Sequence, residues 1–164
     1  MRKALCFIWA CCLFSGPVSG IPLKRGTPVL VRLTTSASSN RDSQVSAEVA
    51  DDVVLGGEPV VMRGTPVQLS VNRRKSRGVG KPGYLQLGCL STRSVDGQHI
   101  LLSGTIEQEG YSRQGAAIGL GVSMGLLFTP LGFLFLCLKG ERVEFPAGTT
   151  IFNVTVTDNY EIQP

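Results

Sequence analysis

His99 is the only histidine in this 164-residue chain, so any proton transfer near neutral pH would most naturally depend on it. A hydrolytic site of the Ser/His/Asp or Cys/His kind would have to be built around it, with Cys89 or a serine as the nucleophile. However, His99 closely follows Asp96-Gly97, a pair typical of an exposed hairpin turn. We therefore predict no catalytic residue, and a protein that is not an enzyme.

Metal and cofactor sites are also poorly indicated. Asp51, Asp52 and Glu58 could offer carboxylates to a hard cation, but no loop shows a regular spacing of oxygen ligands. The chain contains neither a Gly-Lys-Ser/Thr phosphate loop nor a Cys/His zinc spacing. We predict no metal and no cofactor, and interpret these acidic residues as solvated hairpin ends.

The highest density of charge is a basic run that begins at Arg73 and ends at Lys81. Such a loop can hold the phosphates of nucleic acid or of anionic lipid headgroups. Nucleic acid is disfavoured as a partner, because no aromatic residue within the run could stack a base. A solvated hairpin loop is one interpretation. The other is an anionic-ligand contact made by Arg73, Arg74, Lys75, Arg77 and Lys81.

The elements that must position these residues follow a β pattern from Ile21 to Tyr111. Short runs, several with period-two alternation, are separated by turn residues such as Gly56-Gly57, and no long stretch keeps a helical period. This predicts a mainly β fold, an antiparallel small barrel or sandwich. The predicted strands lie within Thr27–Thr35, Gln44–Val54, Thr65–Val71, Tyr84–Arg93 and His99–Ile106.

A short repeat precedes three of the β runs. Leu23–Thr27, Val61–Thr65 and Phe145–Thr149 each contain an apolar residue, two turn residues and Gly-Thr. Glycine at the fourth position suggests a type I turn. The copies are either one structural device or a general preference for glycine before strands. If they are one device, the run Thr149–Thr157 belongs to the same sheet as the strands after the first two copies.

Between the second and third copies lies Gly115–Leu138, a segment without any charged residue. Pro130 lacks a backbone donor and divides the segment into two parts, each too short to cross the roughly 30 Å of a bilayer core. This predicts an inserted apolar helical hairpin, with a single transmembrane helix or a buried core element as alternatives. The residues assigned to membrane insertion or helix packing are Gly115, Gly119, Gly121, Gly125 and Pro130.

The N-terminus is typical of a secretory signal peptide. Arg2 and Lys3 precede the apolar stretch Ala4–Phe14, and Val18-Ser19-Gly20 offers small residues ahead of a cut before Ile21. Retention as an anchor, or a lipid on Cys11, are the alternatives. Cleavage would make the protein exported, on the periplasmic side of the cell envelope.

These patterns predict four consecutive parts. They are a signal peptide (1–20), the first part of a β domain (21–111), a glycine-rich apolar membrane segment (112–140), and a final β strand with a C-terminal tail (141–164). The exported part would keep Cys89 and Cys137, which we interpret as two buried thiols rather than a disulfide.

Several of these motifs resemble one known family. The apolar-x-x-Gly-Thr openings, Val49–Val53, Val95–Ile100 and Leu102-Ser103-Gly104, followed by an insertion and a last strand, resemble the periplasmic β domain of type IV secretion and conjugation scaffold proteins. The resemblance covers roughly residues 21–157. It implies a two-helix projection that enters the outer membrane and copies that assemble into a ring. A small secreted relative of that family is the alternative.

Two classes of function remain open. The first is a non-enzymatic, exported envelope protein with a structural or assembly role, attached through its apolar segment to a membrane, to sister copies in a homo-oligomer or to other envelope proteins. The second is a membrane-anchored binding module that recognises an anionic ligand through the basic loop 73–81. We favour the first.

Overall fold

The computed structural model describes residues 20–115, 118 and 137–163. This part of the chain forms antiparallel strands joined by turns, so the mainly β fold is confirmed. In chain order the strands are β1 (Ile21–Leu23), β2 (Val31–Leu33), β3 (Ala37–Ser38), β4 (Ala47–Val49), β5 (Val53–Leu55), β6 (Glu58–Val61), β7 (Pro66–Arg74), β8 (Tyr84–Arg93), β9 (His99–Glu109), β10 (Glu144–Phe145), β11 (Thr150–Ile151), β12 (Thr155–Val156) and β13 (Tyr160–Ile162).

Seven of these strands form one sheet in the order β11-β2-β4-β7-β8-β9-β12. Its two edge strands, β11 and β12, follow each other in the chain with only residues 152–154 between them. One stretch of chain therefore completes both edges, and Val29 N–H donates to Val154 O (2.9 Å) within this closure. The sheet must curl to bring its edges together, which makes it a half-barrel. Two-stranded ladders β1-β13, β3-β10 and β5-β6 accompany it.

The core lies inside the curl. Along β8, Leu85, Leu87 and Cys89 are buried while Tyr84 and Gln86 are half-buried on the other face, as the period of two requires. The other large side chains that are fully buried in the described residues are aliphatic. The largest are Leu23, Val29, Val31, Leu33, Val49, Val60, Val61, Ile100, Val154 and Ile162.

The three repeat copies share the same hydrogen bonds. In each, the threonine N–H and Oγ1 donate to the carbonyl three residues earlier, with N···O and O···O distances of 3.2 and 2.7 Å. The repeat is therefore one structural device. The predicted turn type is wrong: Gly26, Gly64 and Gly148 occupy the third turn position with φ of 85°, 81° and 91°, which is typical of type II.

The strand after the third copy lies in the main sheet, as predicted. Ile151 pairs with Val31 on β2, which follows the first copy, and Val156 pairs with Leu102 on β9. Strands before and after Gly115–Leu138 thus share one sheet. A single transmembrane helix would place them on opposite sides of a membrane, so the shared sheet disfavours that alternative.

Several predictions concern residues outside the described part of the chain. These are the signal peptide, the helical hairpin itself, and the packing positions Gly119, Gly121, Gly125 and Pro130. Residues 20–115, 118 and 137–163 contain no helix with the length and hydrophobicity that a membrane span requires.

Some boundaries differ from the predicted ones. Strand β7 continues to Arg74, so the basic run begins inside a strand rather than a loop. The predicted final part, 141–164, holds four short strands, β10, β11, β12 and β13, because it pairs in turn with four different strands. Cys89 is a buried thiol as predicted, but Cys137 is exposed, and neither forms a disulfide.

Strand β8 offers a matched test of the core. Leu87 is 0% exposed and Leu90 is 50% exposed. Leu87→Ala should lower the free energy of unfolding by about 2–5 kcal/mol, because it leaves a cavity among aliphatic neighbours. Leu90→Ala should change it by less than about 1 kcal/mol, and urea titration of both variants measures the difference. Equal losses would contradict the inward orientation of this face.

Candidate functional site

The basic run turns back on itself at a tight hairpin tip. Arg77 and Lys81 form an antiparallel bridge, in which Arg77 N–H donates to Lys81 O (3.1 Å). At the tip, Val79 and Gly80 both have positive φ, 59° and 66°. This conformation is normal for glycine but rare for a β-branched residue such as valine. The hairpin is therefore held by contacts beyond its own sequence preference.

Those contacts come from the two ends of the apolar segment. Gly80 N–H donates to Leu138 O (2.7 Å), and Gly80 O accepts from Arg113 N–H (3.0 Å). Arg113 lies just before the segment and Leu138 is its last residue. One residue of the hairpin tip thus holds both ends, and since Gly80 is buried, these bonds also satisfy its backbone polar groups.

A second layer of hydrogen bonds reinforces this closure. Gly83 O accepts from Gly110 N–H (2.9 Å), and Gly83 N–H donates to Glu141 O (2.9 Å). The Glu141 carboxylate also accepts from Tyr111 N–H (3.2 Å). This bond joins a residue that follows the apolar segment to one that precedes it. We call this set of contacts among residues 77–83, 110–113 and 138–141 the junction.

The junction is packed so closely that side chains would not fit at four of its positions, Gly80, Gly83, Gly110 and Gly140. A Cβ on Gly80 would meet the carbonyl group of Arg113, and a Cβ on Gly140 would meet the carbonyl group of Lys81. Both contacts would fall below the shortest separation that real Cβ atoms adopt. Glycine is therefore required here by the approach of three backbone segments.

The junction is tied to the sheet through Ser39 and Asn40. Ser39 N–H donates to Val143 O (2.9 Å) and Ser39 Oγ accepts from Val143 N–H (3.0 Å), which extends the β3-β10 ladder. Asn40 Oδ1 accepts from Ser76 N–H (2.9 Å) and Asn40 Nδ2 donates to Ser76 Oγ (2.9 Å). The hairpin and the chain after the insertion are thus fixed to the same part of the domain.

A cleft of about 630 Å³ opens beside the junction. One wall is the basic run, and the other is the chain between β9 and the apolar segment. Its lining residues are Arg74, Lys75, Arg77, Lys81, Pro82, Glu109, Gly110, Ser112 and Gln114. Four of the five residues predicted to contact an anionic ligand therefore line one cleft.

Arg74 and Lys75 already have acidic partners. The Arg74 guanidinium lies 2.6 Å from Glu109 and 5.8 Å from the centre of the Tyr84 ring. The Lys75 ammonium lies 2.6 Å from Asp42, and this hydrogen bond holds the pKa of the Asp42 carboxyl below its usual value. The positive charges of Arg74 and Lys75 are therefore partly neutralised by these acidic side chains.

Arg73 points away from the cleft and has a structural contact instead. Its guanidinium donates to Ser43 O (3.1 Å) and to Arg41 O, and its side chain is 17% exposed. It holds the loop before β4 in place. Its position therefore does not support the prediction that Arg73 contacts an anionic ligand.

Arg77 and Lys81 differ from the other basic residues of the run. Both are exposed, both line the cleft, and neither forms an ion pair with any residue that the structure describes. They are the two cations of the cleft lining that no described acidic side chain neutralises.

The residues considered for catalysis and metal binding lie apart. His99 is exposed at the start of β9, opposite Arg93. Asp52 Oδ1 accepts from Arg63 N–H (2.6 Å) and so stabilises a turn. Within the described ranges, no group of three or more His, Cys, Asp or Glu side chains is placed to hold a metal ion.

The sequence reasoning missed the junction. Its signal was the glycine spacing at Gly80 and Gly83, matched by Gly110 and Gly140 just outside the apolar segment. Glycines clustered on both sides of an insertion indicate close backbone approach, but only the three-dimensional structure shows which backbones meet.

Comparison with known proteins finds matches among solved structures. The chain matches no protein-family profile and no curated protein. It is similar to the structure of ComB10 of the Com type IV secretion system of Helicobacter pylori, with 14% sequence identity, a TM-score of 0.48, and coverage of 86% of this chain and 90% of that one. ComB10 belongs to the class of secretion system that the sequence motifs resemble.

Gly140 provides a direct test of the junction. Gly140→Ala should lower the free energy of unfolding by about 1–3 kcal/mol, because the new methyl group must displace the Lys81 backbone. It should also expose the 76–83 hairpin to limited proteolysis. Gly88→Ala is the matched control, since a Cβ there meets Ser70 Cβ and Thr105 Oγ1 at 3.8 Å, an ordinary contact. If Gly140→Ala is as stable and as protease-resistant as this control, the junction is not packed as described.

The two thiols should react very differently. Burial raises the pKa of the Cys89 thiol to about 11, so the reactive thiolate is scarce at about pH 8. Cys137 is exposed. We expect a maleimide to label Cys137 in the folded protein and Cys89 only after denaturation, with mass spectrometry of Cys137→Ser and Cys89→Ser variants as the readout. Fast labelling of Cys89 in the native protein would contradict its burial.

Proposed function

We propose that this chain is a non-enzymatic, exported envelope protein with a structural or assembly role. In this proposal the β domain stays on the periplasmic side, and Gly115–Leu138 attaches it to a membrane, where it meets sister copies or other envelope proteins. Two observations support this: the segment carries no charged residue, and the junction holds its two ends together.

The observation that carries the proposal is the double hydrogen bonding of Gly80. Because Arg113 and Leu138 bind the same residue, an apolar segment that leaves the domain at one must return at the other. An uncharged stretch of that length, which begins and ends at one point on a β domain, is suited to dip into a bilayer and come back. It is less suited to cross once.

A helical hairpin is the form we propose for the segment. Pro130 supplies the turn between two halves, and the spacings Gly115/Gly119 and Gly121/Gly125 permit two helices to approach closely. Gln114 and Gly115, the last residues described before the gap, already have helical backbone. A hairpin satisfies its own backbone hydrogen bonds, which a bilayer interior demands.

Membrane fractionation tests this proposal. We expect the protein to remain in the membrane pellet after high-salt washing and to be released by detergent. Leu127→Lys combined with Phe133→Lys places one charge in each half of the segment, at a cost of roughly 2.5–3.5 kcal/mol per residue in a bilayer. This variant should move to the soluble fraction.

The matched control places the same charges elsewhere on the domain. Leu90 and Leu101 are large apolar residues on the sheet, 50% and 49% exposed, so Leu90→Lys with Leu101→Lys should leave membrane attachment unchanged. Retention of the Leu127→Lys/Phe133→Lys variant in the pellet, or release of the control, would show that another part of the chain makes the attachment.

A further inference from the structure

The cleft beside the junction is lined by more basic than acidic side chains. Its charged lining comprises Arg74, Lys75, Arg77, Lys81 and Glu109. Arg74 is paired with Glu109, and Lys75 with Asp42 from outside the cleft. Arg77 and Lys81 remain as an exposed pair of cations that face each other across the hairpin tip.

The position of this pair is set by the junction. Arg77 O accepts from Gly140 N–H (3.3 Å), and Gly80, one residue before Lys81, binds both ends of the apolar segment. Ser112 and Gln114, which lie within three residues before Gly115, contribute to the opposite wall of the cleft. The cations therefore lie at the base of the apolar segment.

We propose that Arg77 and Lys81 bind the phosphate headgroup of an anionic lipid while Gly115–Leu138 occupies the apolar part of the same bilayer. This inference rests on the proposed function, since it assumes that the segment enters a membrane. A lipid presents a phosphate directly above its acyl chains, so a membrane-inserted segment and the cations at its base meet both parts at once. Ser112 and Gln114 add polar groups that can hydrogen-bond the phosphate oxygens.

Charge at the two ends of the segment is consistent with this placement. Arg113 precedes it, Lys139 follows it, and both are exposed. Basic side chains at the ends of membrane-embedded segments extend toward headgroups with their apolar stems below. Arg77 and Lys81 would extend this set of cations into the cleft, where a phosphate can be enclosed.

The test measures partitioning of the purified full chain onto phosphatidylcholine vesicles with and without phosphatidylglycerol. The wild-type chain should bind both and prefer the anionic vesicles. Arg77→Gln with Lys81→Gln should reduce that preference by about 30-fold, the effect of removing two cations at an anionic surface. Binding to pure phosphatidylcholine should not change, because the apolar segment is intact.

The matched control removes the same charge from a different surface. Lys24 and Arg25 lie in the exposed turn of the first repeat and do not line the cleft. Lys24→Gln with Arg25→Gln should keep the wild-type preference. Circular dichroism should show all variants folded, since every substituted side chain is exposed.

Three results would overturn the headgroup site while leaving membrane attachment in place. They are no preference for anionic vesicles in the wild type, no loss in Arg77→Gln/Lys81→Gln, or an equal loss in Lys24→Gln/Arg25→Gln. Failure of the wild-type chain to bind either vesicle would instead reject the proposed function, and the headgroup site with it.

Discussion

The two hydrogen bonds of Gly80 are the contacts on which the rest of this structure depends. They join the tip of the basic hairpin to Arg113 and Leu138, and so fix where the apolar segment leaves the domain and where it returns. Each bond contributes only about 0.5–1.5 kcal/mol to stability. Their importance lies in geometry, because they allow an uncharged segment to be inserted into a β domain without separating the strands on either side.

The sheet makes this arrangement possible. Strands β11 and β12 come after the insertion and complete both edges of a sheet whose other strands come before it, so the domain cannot close until the chain returns. The long strands β7 and β8 carry the basic hairpin beyond the aliphatic core. As a result, the basic hairpin and the two ends of the apolar segment lie together at one end of the domain, beyond the aliphatic core.

Much of the fold could be predicted from the sequence, because period-two alternation and the Gly-Thr repeat are local patterns with direct structural causes. The shared sheet of the first and third copies is the clearest success. The candidate site was harder to predict from the sequence. Arg73, Arg74 and Lys75 form a basic run with Arg77, but whether each cation faces an acid depends on Asp42 and Glu109, which are distant in sequence. Gly80 and Gly140 are likewise explained only by backbones that meet in three dimensions.

The most direct test of the account compares the two sides of the apolar segment in intact cells. Single cysteines at Asp51 and Asp158, both exposed, would be placed in a chain whose five native cysteines are replaced, and treated with a membrane-impermeant thiol reagent. We expect both positions to be labelled equally from outside the cytoplasm, since both belong to one domain held closed at Gly80. Labelling of Asp51→Cys with protection of Asp158→Cys on the cytoplasmic side would contradict it, because the segment would then cross the membrane once.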